Sequence, residues 1–407
     1  MKLLIGGSPC THWSIAQTKN RETEASGIGW ELFRNYRIAR DKYQPDYFLY
    51  ENNKSMSPAI RTQITAELGV EPVLINSALV SAQNRQRLYW VGKREPDGTY
   101  SQVPVEQPED RGILLRDILE TGICWREKGY ALTASSHSAT AEDMFARRQR
   151  NGVAEPIDAC CVAQRGRYIG EGGKVAQHFE ARTDGKTNTL TTVEKDNLVA
   201  EPVRIGTIEN DAKNPDHDSQ QYRVYSPDGK SVTLCGNGGG LGAKTGLYAT
   251  PVGGPDGRVC PIYEVRDGFI AIKGKRYPIK LRDGFYIIRK LTVRECMRLQ
   301  TVPEEYVFPV SDSQAYKMLG NGWTVDVIAH IMSHFEGLTT EPVEVLSMYD
   351  GMSCGHIALD KLGAEITTYY ATEIDKYAIQ TTQHNFPEAI QLGDAFQVRN
   401  DDWRVEE

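Results

Sequence analysis

The sequence has no long apolar run, no Cys-x-x-Cys pair and no excess of basic residues, and each absence excludes a class of protein. No stretch approaches the roughly 20 apolar residues that cross a bilayer. Near Met1 the only apolar stretch is the three residues Leu3–Ile5, which two glycines follow. This stretch is too short for the core of a signal peptide. We therefore expect a cytoplasmic protein that has no membrane partner.

Cysteine spacing and charge narrow the range of binding partners. The cysteines are too scattered for a zinc framework or a disulfide scaffold, so we expect reduced thiols and no metal. The net charge of −7 argues against a protein that coats nucleic acid without selectivity. Residues 121–280 nevertheless hold 22 Lys and Arg against 19 Asp and Glu, or +3, which leaves −10 for the rest. The middle is therefore the expected face for a polyanion.

Both ends of the chain predict one α/β domain that is interrupted in the middle. Residues 1–95 and 289–407 alternate strand and helix patterns, which is typical of a doubly wound parallel sheet. Thr292 is a predicted helix N-cap. The predicted strands are 2–5, 46–50, 73–75, 88–92, 343–348, 367–371 and 389–391, and the predicted helices are 29–43, 58–68, 293–300, 325–335, 356–362 and 375–384.

Residues 96–288 differ in composition and predict an inserted β-rich module with many loops. Residues 121–280 hold 21 of the 37 glycines. A repeat, DGK[TS]xTL at 184–190 and 228–234, indicates a tight turn that leads into a strand. Its GK[TS] triplets are not phosphate loops, because Glu180 and Val224 stand where that motif requires glycine.

A cysteine behind the first predicted strand is a candidate nucleophile. The segment is GGSPC, which ends at Cys10. Ligands bind at the carboxyl ends of strands in open α/β sheets. An exposed cysteine near helix N-termini favours the reactive thiolate. A buried structural cysteine is an alternative that this segment alone leaves open.

Two polar segments accompany other predicted strands. The ENN segment at 51–53 follows strand 46–50, where its acid is placed to act on a ligand or to cap a helix. Gln83, Arg85 and Arg87 alternate along an extended segment and so share one face. Three such donors suit an anion or a carbonyl, unless they belong to a solvated surface strand.

Together and in this order, the three segments resemble motifs of the DNA cytosine-5 methyltransferase family. GGSPCTHWS resembles its catalytic loop, ENN its acid motif and QNRQR its arginine motif. Among the members of this family, the residues of GGSPC, GNGW and YDGMSCG are most similar to those of the animal de novo branch. Further matches are RKLTVRECMRLQTVP (289–303) to the scaffold motif, GNGWTV (320–325) to the cofactor-side motif, YDGMSCG (349–355) to the glycine loop, and TEID (372–375) and LGD (392–394) to the ribose-binding and adenine-binding motifs.

The resemblance implies a Rossmann-like, S-adenosylmethionine-dependent fold that is circularly permuted. The family's glycine loop normally precedes the catalytic cysteine, but here it lies at 349–355, after Cys10. Residues 1–95 and 289–407 would form the catalytic domain. Residues 96–288 would be the target-recognition domain, and a module of this size favours DNA as the substrate.

The resemblance also implies residue roles. Cys10 would attack carbon 6 of a cytosine that has left the duplex, and Glu51 would bind its ring nitrogen 3 and amine. Arg87, with Arg85, would bind the base carbonyl or hold the loop. Ser8, Asn52 and Gln83 would contact the substrate. S-adenosylmethionine, which becomes S-adenosylhomocysteine, would be bound by Pro9, Asn321, Trp323, Tyr349, Asp350, Gly351, Gly355, Glu373, Ile374, Asp394 and Ala395.

The chain departs from the family pattern at three places. Asn53 replaces the usual Val, Thr11 the usual Gln, and Ser353-Cys354 paired glycines. We expect Asn53 to alter pocket hydration or substrate preference. Double-stranded DNA, bound by a monomer, is the expected partner in a bacterium or phage-infected host, with a cognate restriction endonuclease where a restriction system accompanies the gene. An RNA cytosine-5 methyltransferase and a silent DNA-binding regulator are the alternatives.

Overall fold

The structure is a computed structural model in two compact units. It describes residues 1–14, 21–156, 160–169, 174–182, 198–200, 224–225, 247–248, 252–253, 259–260 and 262–405. The side chains of Cys10 and of residues 157–262 lie outside this description, and so does the repeat at 184–190 and 228–234. Unit 1 comprises Met1–Glu120, Arg126–Ala139 and Leu291–Glu407, and unit 2 comprises Thr121–Trp125 and Thr140–Lys290.

The regular elements are numbered in chain order. The helices are α1 (Gly27–Tyr43), α2 (Pro58–Leu68), α3 (Ala141–Phe145), α4 (Val293–Leu299), α5 (Asp312–Asn321), α6 (Val325–Met332), α7 (Cys354–Leu362) and α8 (Lys376–Asn385). The first strands are β1 (Lys2–Gly6), β2 (Tyr47–Asn53), β3 (Pro72–Asn76), β4 (Gln83–Asn84), β5 (Gln86–Arg94), β6 (Tyr100–Gln102) and β7 (Gly129–Tyr130).

The remaining strands belong to unit 2 and to the last part of unit 1. In unit 2 they are β8 (Val153–Pro156), β9 (Cys160–Ile169), β10 (Lys174–Arg182), β11 (Leu198–Ala200), β12 (Val224–Tyr225), β13 (Leu247–Tyr248), β14 (Val252–Gly253), β15 (Val259–Cys260), β16 (Ile262–Arg266), β17 (Phe269–Ile272), β18 (Lys275–Pro278) and β19 (Gly284–Arg289). In unit 1 they are β20 (Val343–Met348), β21 (Ile366–Thr372) and β22 (Ile390–Gly393).

The main sheet of unit 1 has the order β22-β21-β20-β1-β2-β5-β3, with β6 paired to β5. Strands β22, β21, β20, β1 and β2 are parallel. The prediction of a parallel sheet is wrong for β5, which pairs antiparallel with β2 and with β3. Residues 77–85, which join β3 to β5, are too few for the crossover that parallel neighbours need.

Local signals explain why the helices form where they do. Helix α2 was predicted at 58–68 and is confirmed: the Ser57 hydroxyl accepts from the Ile60 amide, Pro58 opens the helix, and Gly69 ends it at φ 76°. The predicted N-cap Thr292 is confirmed too, since its hydroxyl accepts from the Glu295 amide in a capping box.

Aromatic residues fill the core between α1 and the sheet. The Tyr50 ring on β2 lies 5.3 Å from the Phe33 ring, 4.9 Å from that of Tyr36 and 5.7 Å from that of Trp90. Leu4 on β1 belongs to the same buried cluster. Each such side chain contributes about 1.5–3 kcal/mol through apolar burial, so this core fixes the strands that carry the site.

Unit 2 contains a five-stranded antiparallel sheet, β18-β17-β16-β19-β8, and a three-stranded one, β10-β9-β11. The sequence places the start of the insertion at residue 96. The structure instead keeps residues 96–120 and 126–139 in unit 1, because β6 extends the main sheet beside β5 and β7 pairs with β4. In the described parts of both units, no helix combines the length and apolar character needed to cross a membrane.

Candidate active site

The predicted site segments lie along one edge of the unit 1 sheet. The parallel strands β1, β2, β20, β21 and β22 all end at this edge. Strand β5 runs the opposite way, so its first residues lie here, with Arg87 opposite Asn53. The carboxyl edge is where ligands bind in open α/β sheets.

Buried polar contacts hold the loop behind β1. The Ser8 hydroxyl lies 2.6 Å from the Tyr50 hydroxyl, and the Asn52 amide donates to the Ser8 carbonyl at 3.1 Å. Burial raises the pKa of Tyr50, so this phenol stays protonated. Ser8 and Asn52, predicted to contact substrate, thus fix the loop that carries Pro9 and Cys10. Pro9 is exposed.

The Glu51 carboxylate has a different donor on each oxygen. Arg87 Nε lies 3.0 Å from Oε1, and Trp323 Nε1 donates to Oε2 at 3.0 Å. The side chains of Glu51 and Arg87 are 12% and 18% exposed. Gly7 keeps the space free, since a Cβ there would lie 2.9 Å from Oε2. The predicted acid, arginine and loop are therefore brought together.

Arg85 and Gln83 contact the protein's own backbone. Both side chains are buried, and the Gln83 amide donates to the Leu299 carbonyl at 2.6 Å. Three carbonyls accept from the Arg85 guanidinium, at 3.0, 3.2 and 2.8 Å, those of Leu132, Gly320 and Gly322. The carbonyls that Gln83 and Arg85 bind are main-chain carbonyls of neighbouring segments. Arg87 instead pairs with the Glu51 carboxylate.

Backbone amides order the predicted ribose acid. Glu373 Oε2 accepts from the Gly351 amide at 2.9 Å, and Oε1 accepts from the Ile374 and Asp375 amides at 2.7 and 2.8 Å. Gly351 has φ 61°, and no atom lies within 4 Å of the Cβ that another residue would add. The glycine loop therefore has open space beside an ordered carboxylate that retains acceptor capacity.

Asp350 belongs to the glycine loop and links it internally through hydrogen bonds. It accepts from the hydroxyls of Ser347 at 2.6 Å and Tyr369 at 2.7 Å, and also from Ser353. Burial raises the pKa of Asp350, while these three bonds act in the opposite direction. Ser353, one of the departures from paired glycines, is thus a partner of this carboxylate. Tyr349 donates to the Leu32 carbonyl at 2.7 Å.

Gly355 serves close packing between α7 and β1. A Cβ at Gly355 would lie 2.2 Å from Ile5 Cδ1. The sequence interpretation gave Gly355 to the cofactor, and in the structure this last residue of the glycine loop also packs against β1. Next to it, Cys354 is a buried free thiol, and burial raises its pKa to about 12.

The other predicted cofactor residues lie on three loops of the same unit. Ile374 is 75% exposed, which is unusual for its type and leaves an apolar face free. Asp394 caps the short helix Ala395–Arg399 by accepting from the Phe396 amide at 2.9 Å, and Ala395 is buried. Asn321 is exposed at the end of α5.

Glu22 was missed by the sequence analysis, although it ties the segment behind the predicted nucleophile to α1. It accepts from Trp13 Nε1 at 3.1 Å and from the Gly29 amide at 3.2 Å, and lies 3.7 Å from His12 Nδ1. A Cβ at Gly29 would lie 2.6 Å from the carboxylate. The glycines at the start of α1 were the available signal.

This geometry suits group transfer to a base or ring held near Glu51 and Arg87. The carboxylate offers acceptors, and the guanidinium offers a cation beside it. The described residues contain no group of three His, Cys, Asp or Glu side chains that could hold a metal ion. Gly351 has open space beside it, and the nearby Ile374 exposes its apolar side chain.

Comparisons with known proteins agree on one family. The family model described as C-5 cytosine-specific DNA methylase matches residues 1–226 and 250–336. Orphan methyltransferase M.SPRI of Bacillus phage SPR is 25% identical over 389 residues, which cover 81% of this chain and 81% of that protein. Type II methyltransferase M.HhaI of Haemophilus parahaemolyticus is 29% identical over 148 residues, which cover 36% of this chain and 33% of its own.

One solved structure that matches this chain is the methyltransferase EhMeth of Entamoeba histolytica. It is 12% identical, covers 82% of this chain and 76% of its own, and has a TM-score of 0.34. A likeness of this size carries no argument about details of the site.

Proposed function

Because this chain belongs to the C-5 cytosine-specific DNA methylase family, it is a DNA cytosine-5 methyltransferase, and we propose that Cys10 is its nucleophile. The observation that carries the proposal is the Glu51 carboxylate, held by Arg87 and Trp323 at the edge where the Cys10 loop leaves β1. The family match favours DNA over the RNA alternative.

The proposed reaction activates a carbon that is a poor nucleophile. The Cys10 thiolate forms a bond to carbon 6 of the cytosine, and the electron pair moves to carbon 5. Glu51 binds ring nitrogen 3 and the exocyclic amine, and assists protonation as negative charge develops. Arg87 binds the base carbonyl while it holds Glu51. Once carbon 5 carries the methyl group that S-adenosylmethionine would supply, a base removes the carbon 5 proton. The C5–C6 double bond then re-forms and the carbon–sulfur bond breaks, which restores the Cys10 thiolate.

The target base must leave the DNA duplex before Cys10 can attack it. Neither face of carbon 6 is accessible in a stacked duplex, so we propose that the enzyme extrudes the cytosine. The buried Ser8 and Asn52 would support the loop under the extruded base. Asn53 donates to Asn52 Oδ1 at 3.3 Å and accepts from the Ser55 hydroxyl at 2.7 Å. An effect of Asn53 on the pocket would therefore pass through these neighbours.

The family implies S-adenosylmethionine, which supplies the methyl group when bound and leaves as S-adenosylhomocysteine. We propose that Glu373 accepts from the ribose hydroxyls and that Ile374 covers one face of the adenine, since its side chain is exposed. Gly351 leaves room for the ligand next to Glu373. The other proposed contacts are from Pro9, Asn321, Trp323, Tyr349, Asp350, Gly355, Asp394 and Ala395.

We also propose that the catalytic domain is circularly permuted. Doubly wound sheets of the order 3-2-1-4-5 start at a central strand. Here β20, β21 and β22 occupy places 1, 2 and 3, and β1 and β2 occupy places 4 and 5. The family match that stops at residue 336 supports the same rotation. A gene with residues 343–407 moved ahead of residue 1 should give an active enzyme, whereas an unfolded product would contradict the permutation.

We propose that residues 96–288, most of which belong to unit 2, form the target-recognition domain. Their position in the sequence between the two catalytic segments and the basic balance of 121–280 support this role. Double-stranded DNA is then the partner of a monomer. The similarity to a type II methyltransferase favours a cognate endonuclease as a further partner. The similarity to an orphan methyltransferase favours an enzyme that acts without one.

A mechanism-based trap tests the proposed function. Duplex DNA with 5-fluorocytosine at the target site should form a covalent adduct when S-adenosylmethionine is present, because fluorine cannot leave carbon 5 as the proton does. Bisulfite sequencing of a host plasmid identifies the target first. The variant C10S should form no adduct. Equal trapping by C10S would remove Cys10 from the mechanism, and a wild-type enzyme that never traps would contradict the covalent route.

A further inference from the structure

Trp323 connects the cofactor side of the active site to the acid on the other side. Its indole Nε1 donates to Glu51 Oε2 at 3.0 Å, while Arg87 contacts the second oxygen. The motif that contains Trp323 was expected only to close around the cofactor. The hydrogen bond to Glu51 gives the side chain a second task that the motif does not explain.

The turn that carries Trp323 is fixed from several directions. The Gly322 amide donates to the Met318 carbonyl at 2.7 Å. The Gly322 carbonyl accepts from Arg85 at 2.8 Å and from the Gln300 amide at 3.2 Å. Both donors come from other segments. The backbone of residues 320–323 is therefore held in place, and this fixes where the Trp323 side chain begins.

The same turn abuts the glycine loop. A Cβ at Gly322 would lie 3.2 Å from Cys354 Sγ and 3.5 Å from Met352 Sδ. Gly351, in the same loop, contacts the predicted ribose acid Glu373. The turn that carries Trp323 therefore packs directly against the glycine loop.

The Glu51 end of the connection is equally constrained. A Cβ at Gly7 would lie 2.9 Å from Glu51 Oε2 and 3.5 Å from Trp323 Nε1, so only glycine leaves the hydrogen bond undisturbed. A carboxylate with one donor on each oxygen is held in one orientation. Preorganised polar groups of this kind lower the barrier because they need no rearrangement during the reaction.

We propose that Trp323 is a positioning residue that orients the Glu51 carboxylate toward the target base and couples this orientation to the cofactor-side loop. The proposal rests on the methyltransferase function, and adds a role in the chemical step to a residue expected only at the cofactor. Trp323 acts through Glu51 and is not itself a catalytic residue.

The variant W323F separates the two tasks, because phenylalanine keeps a ring and loses the N–H donor. We expect the single-turnover methylation rate to fall about tenfold, the effect of one lost charge-assisted hydrogen bond. The dissociation constant for S-adenosylmethionine should stay within about twofold of the wild type. W90F is the matched control, because the Trp90 indole donates to Thr65 at 2.9 Å and not to a residue of the site. Because its N–H donor serves α2 and not Glu51, W90F should slow methylation much less than W323F does.

A double-mutant cycle tests whether Trp323 acts through Glu51. In an E51A background, W323F should slow methylation no further, since coupled residues are non-additive. An equal loss in both backgrounds, or weaker cofactor binding at an unchanged rate, would overturn the proposal. If W323F does not fold, G7A provides a second route, because its methyl group intrudes on the same hydrogen bond and should cause a similar loss. A G7A enzyme with the full rate would overturn it as well. Failure of the wild type to trap 5-fluorocytosine would instead contradict the proposed function.

Discussion

Replacing Arg85 with alanine distinguishes a structural role from contact with the target base. The guanidinium donates to three main-chain carbonyls at 3.0, 3.2 and 2.8 Å. Hydrogen bonds from a charged group contribute about 1.5–3 kcal/mol each, and partial relaxation leaves a net cost of about 3–5 kcal/mol. With a urea m-value of about 3 kcal/mol per M, the unfolding midpoint of this unit should fall by about 1–1.7 M.

R85A should also weaken binding of S-adenosylmethionine, because two of the three carbonyls belong to the turn that carries Asn321 and Trp323. Unfolding is followed by tryptophan fluorescence and cofactor affinity by calorimetry at low temperature. R40A is the control: Arg40 is buried and donates to the carbonyls of Leu68 and Glu67 away from the site. It should lose stability and keep its cofactor affinity. Wild-type stability in R85A with slower chemistry alone would refute the structural role.

Three further outcomes follow from the contacts of unit 1. G355A should lower the unfolding midpoint by overpacking Ile5, at a cost of about 1–3 kcal/mol, and I5V should restore it; no rescue would contradict the packing argument. E22A should lower the free energy of unfolding in urea by about 1–3 kcal/mol, because it removes this acceptor from the buried Trp13 N–H. E22Q should recover part of the loss. An unchanged unfolding midpoint in E22A would contradict a stabilising role for Glu22. Cys354, whose pKa burial raises to about 12, should resist iodoacetamide at pH 8 in the native protein but react after unfolding, as mass spectrometry can measure; rapid native labelling would disagree.

Elements with strong local signals could be predicted from the sequence. Ser57, Pro58 and Gly69 delimit α2 by backbone chemistry alone, and its predicted bounds match the structure. Strand β20 was also predicted with its bounds, since four of its six residues are apolar, as is typical of a buried central strand. Helix α6 ends at Met332, three residues before the prediction, because the apolar pattern runs on into the loop that follows.

Strand direction and side-chain partners could not be predicted in the same way. The direction of β5 depends on the short connection before it, and a strand pattern is the same in either direction. Arg85 and Arg87 lie two residues apart, yet one binds backbone carbonyls and the other pairs with Glu51. Two of the carbonyls that Arg85 binds lie 235 and 237 positions away in the chain, and Trp323 lies 272 positions from Glu51.

The place of β1 between β2 and β20 has a consequence for folding during synthesis. Strand β1 is synthesised long before Val343–Met348, the strand that pairs with its second edge, since Leu3 lies opposite Val345. Until the ribosome has released those residues, β1 exposes an apolar edge that can pair with another chain. Contacts between such distant residues also slow folding. We therefore expect the growing chain to depend on chaperones more than a relative whose strands pair in the order of their synthesis.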